Sequence, residues 1–299
     1  MQGEHPKVAI GGINIEIISH SDKELYFPDN YHRFATDEKA EAFLHVWDCD
    51  APHLLLEEKG FSSSSITAYR SDQGFIILFH MPGMTGTPPG TVVKISPHLK
   101  SVDVYAKSPR NQQYFHPLTR LLFRFVIVSI LSWGLGVMVH ASGINDNGGG
   151  MLFAGVSGAG KSTLAALWKD RGTILSEDAV IVRKREERFW VYGTPLVSDF
   201  QLSSQDMCPL EGIYFIEHAQ INTLVQEKCS LSDMLPHTFC PAWDVSGMQF
   251  TMDFLSKLAK KIPCYKLGFA PDERVVDFVR KVNKLRMSCP EKRHSLTRC

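Results

Sequence analysis

From Val8 to about Ala106 the apolar positions fall in short runs with a two-residue beat. VAIGGINIEII, SITAYRS, GFIILFH, GTVVKIS and SVDVYA are rich in β-branched and aromatic residues, the composition of half-buried strands. Turn-forming clusters separate them, the longest being Met81–Gly90, MPGMTGTPPG. One acidic stretch, about Asp37 to Val46, reads as a helix. Residues 1–107 therefore predict a small, mainly antiparallel β domain, and they contain no catalytic constellation and no internal repeat.

The segment SPRNQQYFHP, residues 108–117, has the composition of a linker. Beyond it the beat lengthens. A helix is predicted from about Leu118 to Leu131, with a break at Gly134 and Gly136. Strands VMVHASGI (Val137–Ile144) and MLFAG (Met151–Gly155) flank the turn NDNGGG. A helix STLAALWKD and a strand TILS (Thr173–Ser176) follow, with Gly172 as the helix cap. Further on, GIYFI and CYKLGF read as strands. FTMDFLSKLAKK and ERVVDFVRKVNKL read as helices, the latter with Val275, Val279 and Val282 on one face. This alternation predicts an α/β domain over residues 118–283. Residues 284–299 are polar and basic and are expected to form a disordered tail.

Composition removes several function classes. Of 299 residues, 44% are hydrophobic and 21% charged, and Lys plus Arg equals Asp plus Glu at 32 each. With no net charge there is no long-range field to draw in nucleic acid or an anionic membrane. The run FVIVSILSWGLGVMV falls short of the roughly 20 apolar residues a membrane span needs. The N-terminus lacks a secretory apolar core. A cytoplasmic protein is expected, with neither nucleic acid nor membrane as partner; a homo-oligomer stays open. The seven cysteines form no C-x-x-C pair, so zinc lacks its usual ligand spacing.

The chemistry concentrates in MLFAGVSGAGKSTLAALWKDR, Met151–Arg171. GVSGAGKS fits G-x-x-x-x-G-K-[ST], with a strand before it and a helix after it. Gly155, Gly158 and Gly160 are expected at positive φ, turning backbone N–H groups toward phosphate oxygens. Gly155, Val156, Ser157, Gly158, Ala159, Gly160, Lys161, Ser162 and Thr163 together form the expected nucleotide-binding loop. The helix start adds partial positive charge at the β-phosphate. Lys161 reaches the β- and γ-phosphates, and the Ser162 hydroxyl ligates Mg²⁺. ATP and Mg²⁺ are the expected cofactors.

Glu177 and Asp178 end the TILS strand. In a βαβ unit that strand lies beside the loop strand, which places the acidic pair at the phosphates. Asp178 there can hold Mg²⁺ or accept a proton from an attacking hydroxyl, with Glu177 assisting. His140 follows from symmetric pairing around NDNGGG. If Ile144 faces Met151, then His140 faces Gly155 at the mouth of the loop, where it is either a site residue or a buried structural histidine.

These residues resemble the HPr kinase/phosphorylase family, which shares its P-loop core with the ATP-type phosphoenolpyruvate carboxykinases. The resemblance rests on MVHASGI, FAGVSGAGKSTLAALW, ILSEDAVIV, VYGTP and PLEGIYFIEHA, and covers roughly Leu118 to Asn283. It implies phosphoryl transfer from ATP to a serine hydroxyl of a protein, peptide or small molecule. It also implies catalytic roles for Asp178, Glu177, His140 and Lys161, with Ser162 on the metal. The chain departs from the family at Thr163, where the family has glutamate, and at Glu177–Asp178, where it has paired aspartates. It also lacks the family's arginine–glycine signature after Asp178. HPr as acceptor and the reverse phosphorylase reaction therefore do not carry over. An ATP-dependent regulatory module without turnover and a carboxykinase-type enzyme are the alternatives.

Overall fold

The structure is a computed structural model. It describes residues 5–288 apart from 54, 55, 57, 65, 72–73, 81–89, 97–100, 109–113, 116–118 and 199. The chain forms two compact units. One takes in the chain up to Gly134 together with Pro241–Met248; the other takes in Leu135–Cys240 and the chain from Gln249 onward.

In the first unit, strands β1 (Lys7–Ile10) and β2 (Ile13–His20) form a hairpin. Gly11 and Gly12 turn it at φ 61° and 69°, the two left-handed residues a tight hairpin requires. The other elements are β3 (Glu24–Leu25), α1 (Asp29–His32), β4 (Ala42–Trp47), β5 (Glu58–Ser62), β6 (Ile66–Ser71), β7 (Gly74–Phe79), β8 (Val92–Ile95), β9 (Ser101–Tyr105) and β10 (Tyr114–Phe115). The main sheet runs β1-β2-β4-β9-β8-β7-β6-β5. It is antiparallel except at β2–β4 and β4–β9, which are parallel. The expected helix at Asp37–Val46 is overturned, since its second half is the inner strand β4. Ala42, Leu44 and Val46 are buried while Phe43, His45 and Trp47 are only partly so, a period of two rather than 3.6. Of the expected linker, Tyr114–Phe115 pairs with β3, while 109–113 and 116–117 lie outside the described residues.

Ser108, at the head of that segment, is tied down by Asp48. The Asp48 carboxylate accepts from Ser108 N–H (2.7 Å), Ser108 Oγ and Ser21 Oγ, and lies 3.5 Å from Lys23 Nζ. Burial acts to raise this carboxyl, but the hydrogen bonds and the lysine outweigh it and hold it below its ordinary range. A depressed carboxylate stabilises the fold above its unfolded pKa of about 4, and this is lost as pH falls through the folded value. Asp48→Asn is expected to cost about 1–3 kcal/mol at pH 7. Urea denaturation should show the gap from wild type closing below about pH 4.

Helix α2 (Arg120–Leu131) also belongs to the first unit, so the unit boundary falls after Gly134 and not within 108–117. The reason is aromatic packing. Phe123 meets Tyr31 edge-on at 4.9 Å, and Phe125 lies 5.6 Å from Phe79 and 4.0 Å from Trp243. No helix among the described residues is long and apolar enough to cross a membrane.

The second unit is a mixed sheet with helices on both faces. Its elements are β11 (Val137–Val139), β12 (Ala141–Asp146), β13 (Gly149–Ala154), α3 (Lys161–Leu167), β14 (Thr173–Ser176), β15 (Val180–Arg185), β16 (Arg188–Tyr192), β17 (Met207–His218), β18 (Thr223–Glu227), α4 (Leu231–Met234), β19 (Thr238–Phe239), α5 (Val245–Lys261, in this unit from Gln249 onward), β20 (Cys264–Phe269) and α6 (Arg274–Ser288). The order is β14-β12-β13-β17-β16-β15-β11-β19, with β20 also on β17 and β18 on β20. Strand β13 is buried on both faces, which explains its unbroken apolar run. Leu152 and Ala154 pack with Phe254, Leu255 and Leu258 of α5. Met151 and Phe153 pack on the other side with Leu164, Trp168, Val275 and Val279. Helix α6 continues to Ser288, so residues 284–288 are helical and not part of a disordered tail. Residues 289–299 lie outside the described residues.

Three further expectations are corrected. The run VMVHASGI is two strands, broken at His140, because β11 pairs with β15 and β19 whereas β12 pairs with β13 and β14. The hairpin turn is two residues, not six. Asn147 and Gly148 stand at φ 54° and 91°, and Ile144 faces Met151 as anticipated. Strand β14 is not the neighbour of β13, since β12 runs antiparallel between them.

Candidate functional site

The site grows from the carboxyl end of β13. Residues 155–160 form a tight loop that leads directly into α3. Gly158 and Gly160 have φ of 81° and 92°, a region that side chains disfavour. Gly155 does not have positive φ and is needed for another reason. A Cβ there would stand 2.9 Å from Ala159 Cβ and 2.9 Å from Ile216 Cγ1. Gly155→Ala is expected to cost about 1–3 kcal/mol by overpacking, visible as a lower denaturant midpoint. Weaker nucleotide binding should accompany it as the loop shifts. Val156, Ser157, Gly158 and Thr163 are exposed, while Ala159 is buried and Ser162 is half-buried.

Lys161, the first residue of α3, folds back over the loop. Its Nζ donates to the Gly155 carbonyl (2.9 Å) and the Val156 carbonyl (3.2 Å), and the residue is 7% exposed. Burial pulls its ammonium below the ordinary range, and the charge of Asp178 opposes that pull. Asp178 thus lies within the field of Lys161, although its strand is two places from β13.

The intervening strand makes the connection. The buried Ser142 hydroxyl on β12 is 3.0 Å from the Lys161 carbonyl and 2.7 Å from the Glu177 carbonyl. One serine therefore bridges the start of α3 to the acidic pair. Gly143 beside it leaves room for Val180, whose Cγ1 would be 2.5 Å from an added Cβ.

The two acidic side chains part company. The Asp178 carboxylate is largely buried but keeps some solvent contact, and its Oδ1 lies 3.5 Å from His140 Nδ1. That nitrogen donates to the Asp178 carbonyl at 3.0 Å. His140 therefore does join the site, but from the break between β11 and β12 and not from the hairpin ladder. Its own N–H donates to the His237 carbonyl at 2.7 Å. Glu177 turns away. It has no solvent exposure, and its carboxylate accepts backbone N–H bonds from Ser198 (3.2 Å), Phe200 (3.3 Å) and Leu202 (3.3 Å). Lys161, Asp178 and His140 are thus brought together and Ser162 follows Lys161 in α3, while the Glu177 side chain serves the backbone of Ser198, Phe200 and Leu202.

Two residues at the site carry no sequence motif. Ser198 Oγ lies 3.3 Å from Ser162 Oγ. His237 sits over Phe215, with ring centroids 5.7 Å apart. Burial, the Lys161 charge and His140 all hold this imidazole below its ordinary range. Among the described residues no group of three His, Cys, Asp or Glu could hold a metal. The neighbouring Ser162 and Ser198 hydroxyls are oxygen donors of the kind that suits Mg²⁺ bound with phosphate and water.

No family model matches the chain, and no curated protein matches it. Among solved structures, the Hpr(Ser) kinase/phosphatase from Coxiella burnetii aligns with 51% of this chain and 99% of its own, at 10% identity and a TM-score of 0.30. That makes it a distant structural neighbour and no more.

Proposed function

We propose that the second unit binds Mg²⁺–ATP at the 155–163 loop and transfers the γ-phosphoryl group to a hydroxyl, that of a serine in a protein or peptide or of a small molecule, as the sequence motifs imply. The observation that carries this is a glycine loop between a buried strand and a helix that begins at Lys161 and Ser162, with the Lys161 ammonium folded over the loop and acted on by the Asp178 charge. Phosphoryl transfer needs mainly positioning and charge stabilisation, so a small set of groups suffices.

Backbone N–H groups of the loop hold the β-phosphate. Lys161 exchanges the Gly155 and Val156 carbonyls for β- and γ-phosphate oxygens and offsets their charge. Ser162 and Asp178 would hold Mg²⁺, which when bound supplies charge neutralisation across the β- and γ-phosphates. The acceptor oxygen bonds to the γ-phosphorus as the bond from that phosphorus to the β–γ bridging oxygen breaks, and ADP leaves. The hydroxyl proton passes to Asp178, which the His140 ring holds in place.

Two measurements test this. Calorimetry should show ATP binding that strengthens with Mg²⁺. Label from γ-³²P-ATP should move to an acceptor in a lysate of the source cells. Absence of ATP binding would defeat the proposal. Binding without transfer would favour the regulatory module.

A further inference from the structure

The Glu177 carboxylate is the most completely buried acidic group of the site, yet the phosphoryl-transfer scheme gives it no chemistry. A buried carboxylate is costly unless hydrogen bonds satisfy it. Here the bonds come from the backbone N–H groups of three alternate residues, Ser198, Phe200 and Leu202. They lie 21 to 25 positions along the chain from Glu177. The same segment is fixed just upstream, where Ser176 Oγ donates to the Leu196 carbonyl at 3.0 Å. The result of this anchoring is specific. It sets the Ser198 hydroxyl 3.3 Å from that of Ser162.

That spacing has a chemical meaning. Mg²⁺ holds its oxygens at about 2.0–2.1 Å in near-ideal octahedral geometry, so neighbouring ligands stand about 3 Å apart. Two hydroxyls at 3.3 Å need only a small rotation to become adjacent ligands of one ion. Both are neutral hydroxyl oxygens, the kind of ligand that a phosphate-loop serine gives Mg²⁺. Resting on the ATP-binding function proposed above, we propose that Ser198 supplies a second hydroxyl ligand, beside Ser162, to the Mg²⁺ of bound Mg²⁺–ATP. Glu177 is the positioning residue that holds it there. The acidic pair then divides its work, with Asp178 acting at the metal and phosphates and Glu177 acting through the backbone of Ser198, Phe200 and Leu202.

Mn²⁺ replaces Mg²⁺ as the probe, because its paramagnetic resonance reports binding without turnover. In the full-length protein, Ser198→Ala is expected to weaken Mn²⁺–ATP binding about 10-fold, with metal-free ATP binding and the thermal midpoint unchanged. Ser198→Cys should favour the softer Cd²⁺, binding Cd²⁺–ATP more tightly relative to Mn²⁺–ATP than wild type does. Glu177→Gln places an amide donor against backbone donors and should reproduce the Ser198→Ala loss. The serine variants keep the test open if the glutamine variant fails to fold. Wild-type Mn²⁺–ATP affinity in Ser198→Ala, with no Cd²⁺ preference in Ser198→Cys, overturns the inference while leaving the ATP site standing. Wild-type protein that binds ATP without any gain from Mn²⁺ also overturns the inference, and wild-type protein that binds ATP neither with nor without metal overturns the ATP site itself.

Discussion

Lys161→Ala is expected to weaken Mg²⁺–ATP binding by about 10- to 150-fold, the value of one or two charge-assisted hydrogen bonds to phosphate. Its effect on stability should have the opposite sign or be close to zero. The ammonium is buried against the Gly155 and Val156 carbonyls, and burial already pulls its pKa down. Removing a desolvated charge relieves a cost that two neutral acceptors only partly offset. Lys161→Met, which keeps the volume, isolates the charge. Calorimetry read beside a urea titration separates the two effects. A variant that loses affinity and stability together would mean the lysine serves the loop. One that binds ATP as wild type does would remove Lys161 from the phosphates.

Much of the second unit was legible because its strands and helices carry strong local periodicity. CYKLGF coincides with β20, and the valines of ERVVDFVRKVNKL are buried on one face of α6. In the glycine loop the positive φ of Gly158 and Gly160 was legible because it is a local requirement, whereas the need for Gly155 comes partly from Ile216 on β17. What failed was non-local. Nothing in EDAV or TILS reveals that β12 inserts between β13 and β14, since the insertion depends on a hairpin folding back across the sheet. The break at His140 was hidden for the same reason, as β11 and β12 serve different halves of one sheet. At Asp37–Val46 the acidic composition suggested a helix, while the alternation from Ala42 that makes β4 is only six residues long. Ser198 and His237 had no signal at all. Their places in the site come from contacts with Ser162, Glu177 and His140, far away in the chain.

For Asp178 the two roles assigned to a carboxylate in this position separate cleanly. Asp178→Asn keeps the shape and the main-chain turn, in which Asp178 N–H donates to Ser176 Oγ at 3.3 Å. The His140 ring also keeps its bond to the Asp178 carbonyl, so the local fold should survive. What is lost is the negative charge and with it most of the capacity to take a proton. If Asp178 acts as base, ATP affinity changes little while acceptor phosphorylation falls by about 10²–10⁴-fold, the usual scale of general-base assistance. If it chiefly holds the metal, Mg²⁺–ATP affinity falls together with the rate, and raised Mg²⁺ restores part of both. The charge also acts on Lys161, where it opposes the effect of burial. Its removal should therefore lower the Lys161 pKa further, a change that ¹⁵N NMR of the labelled lysine side chain can follow in the absence of nucleotide. A variant with near-normal turnover on a confirmed acceptor and an unmoved lysine titration would exclude both roles for Asp178.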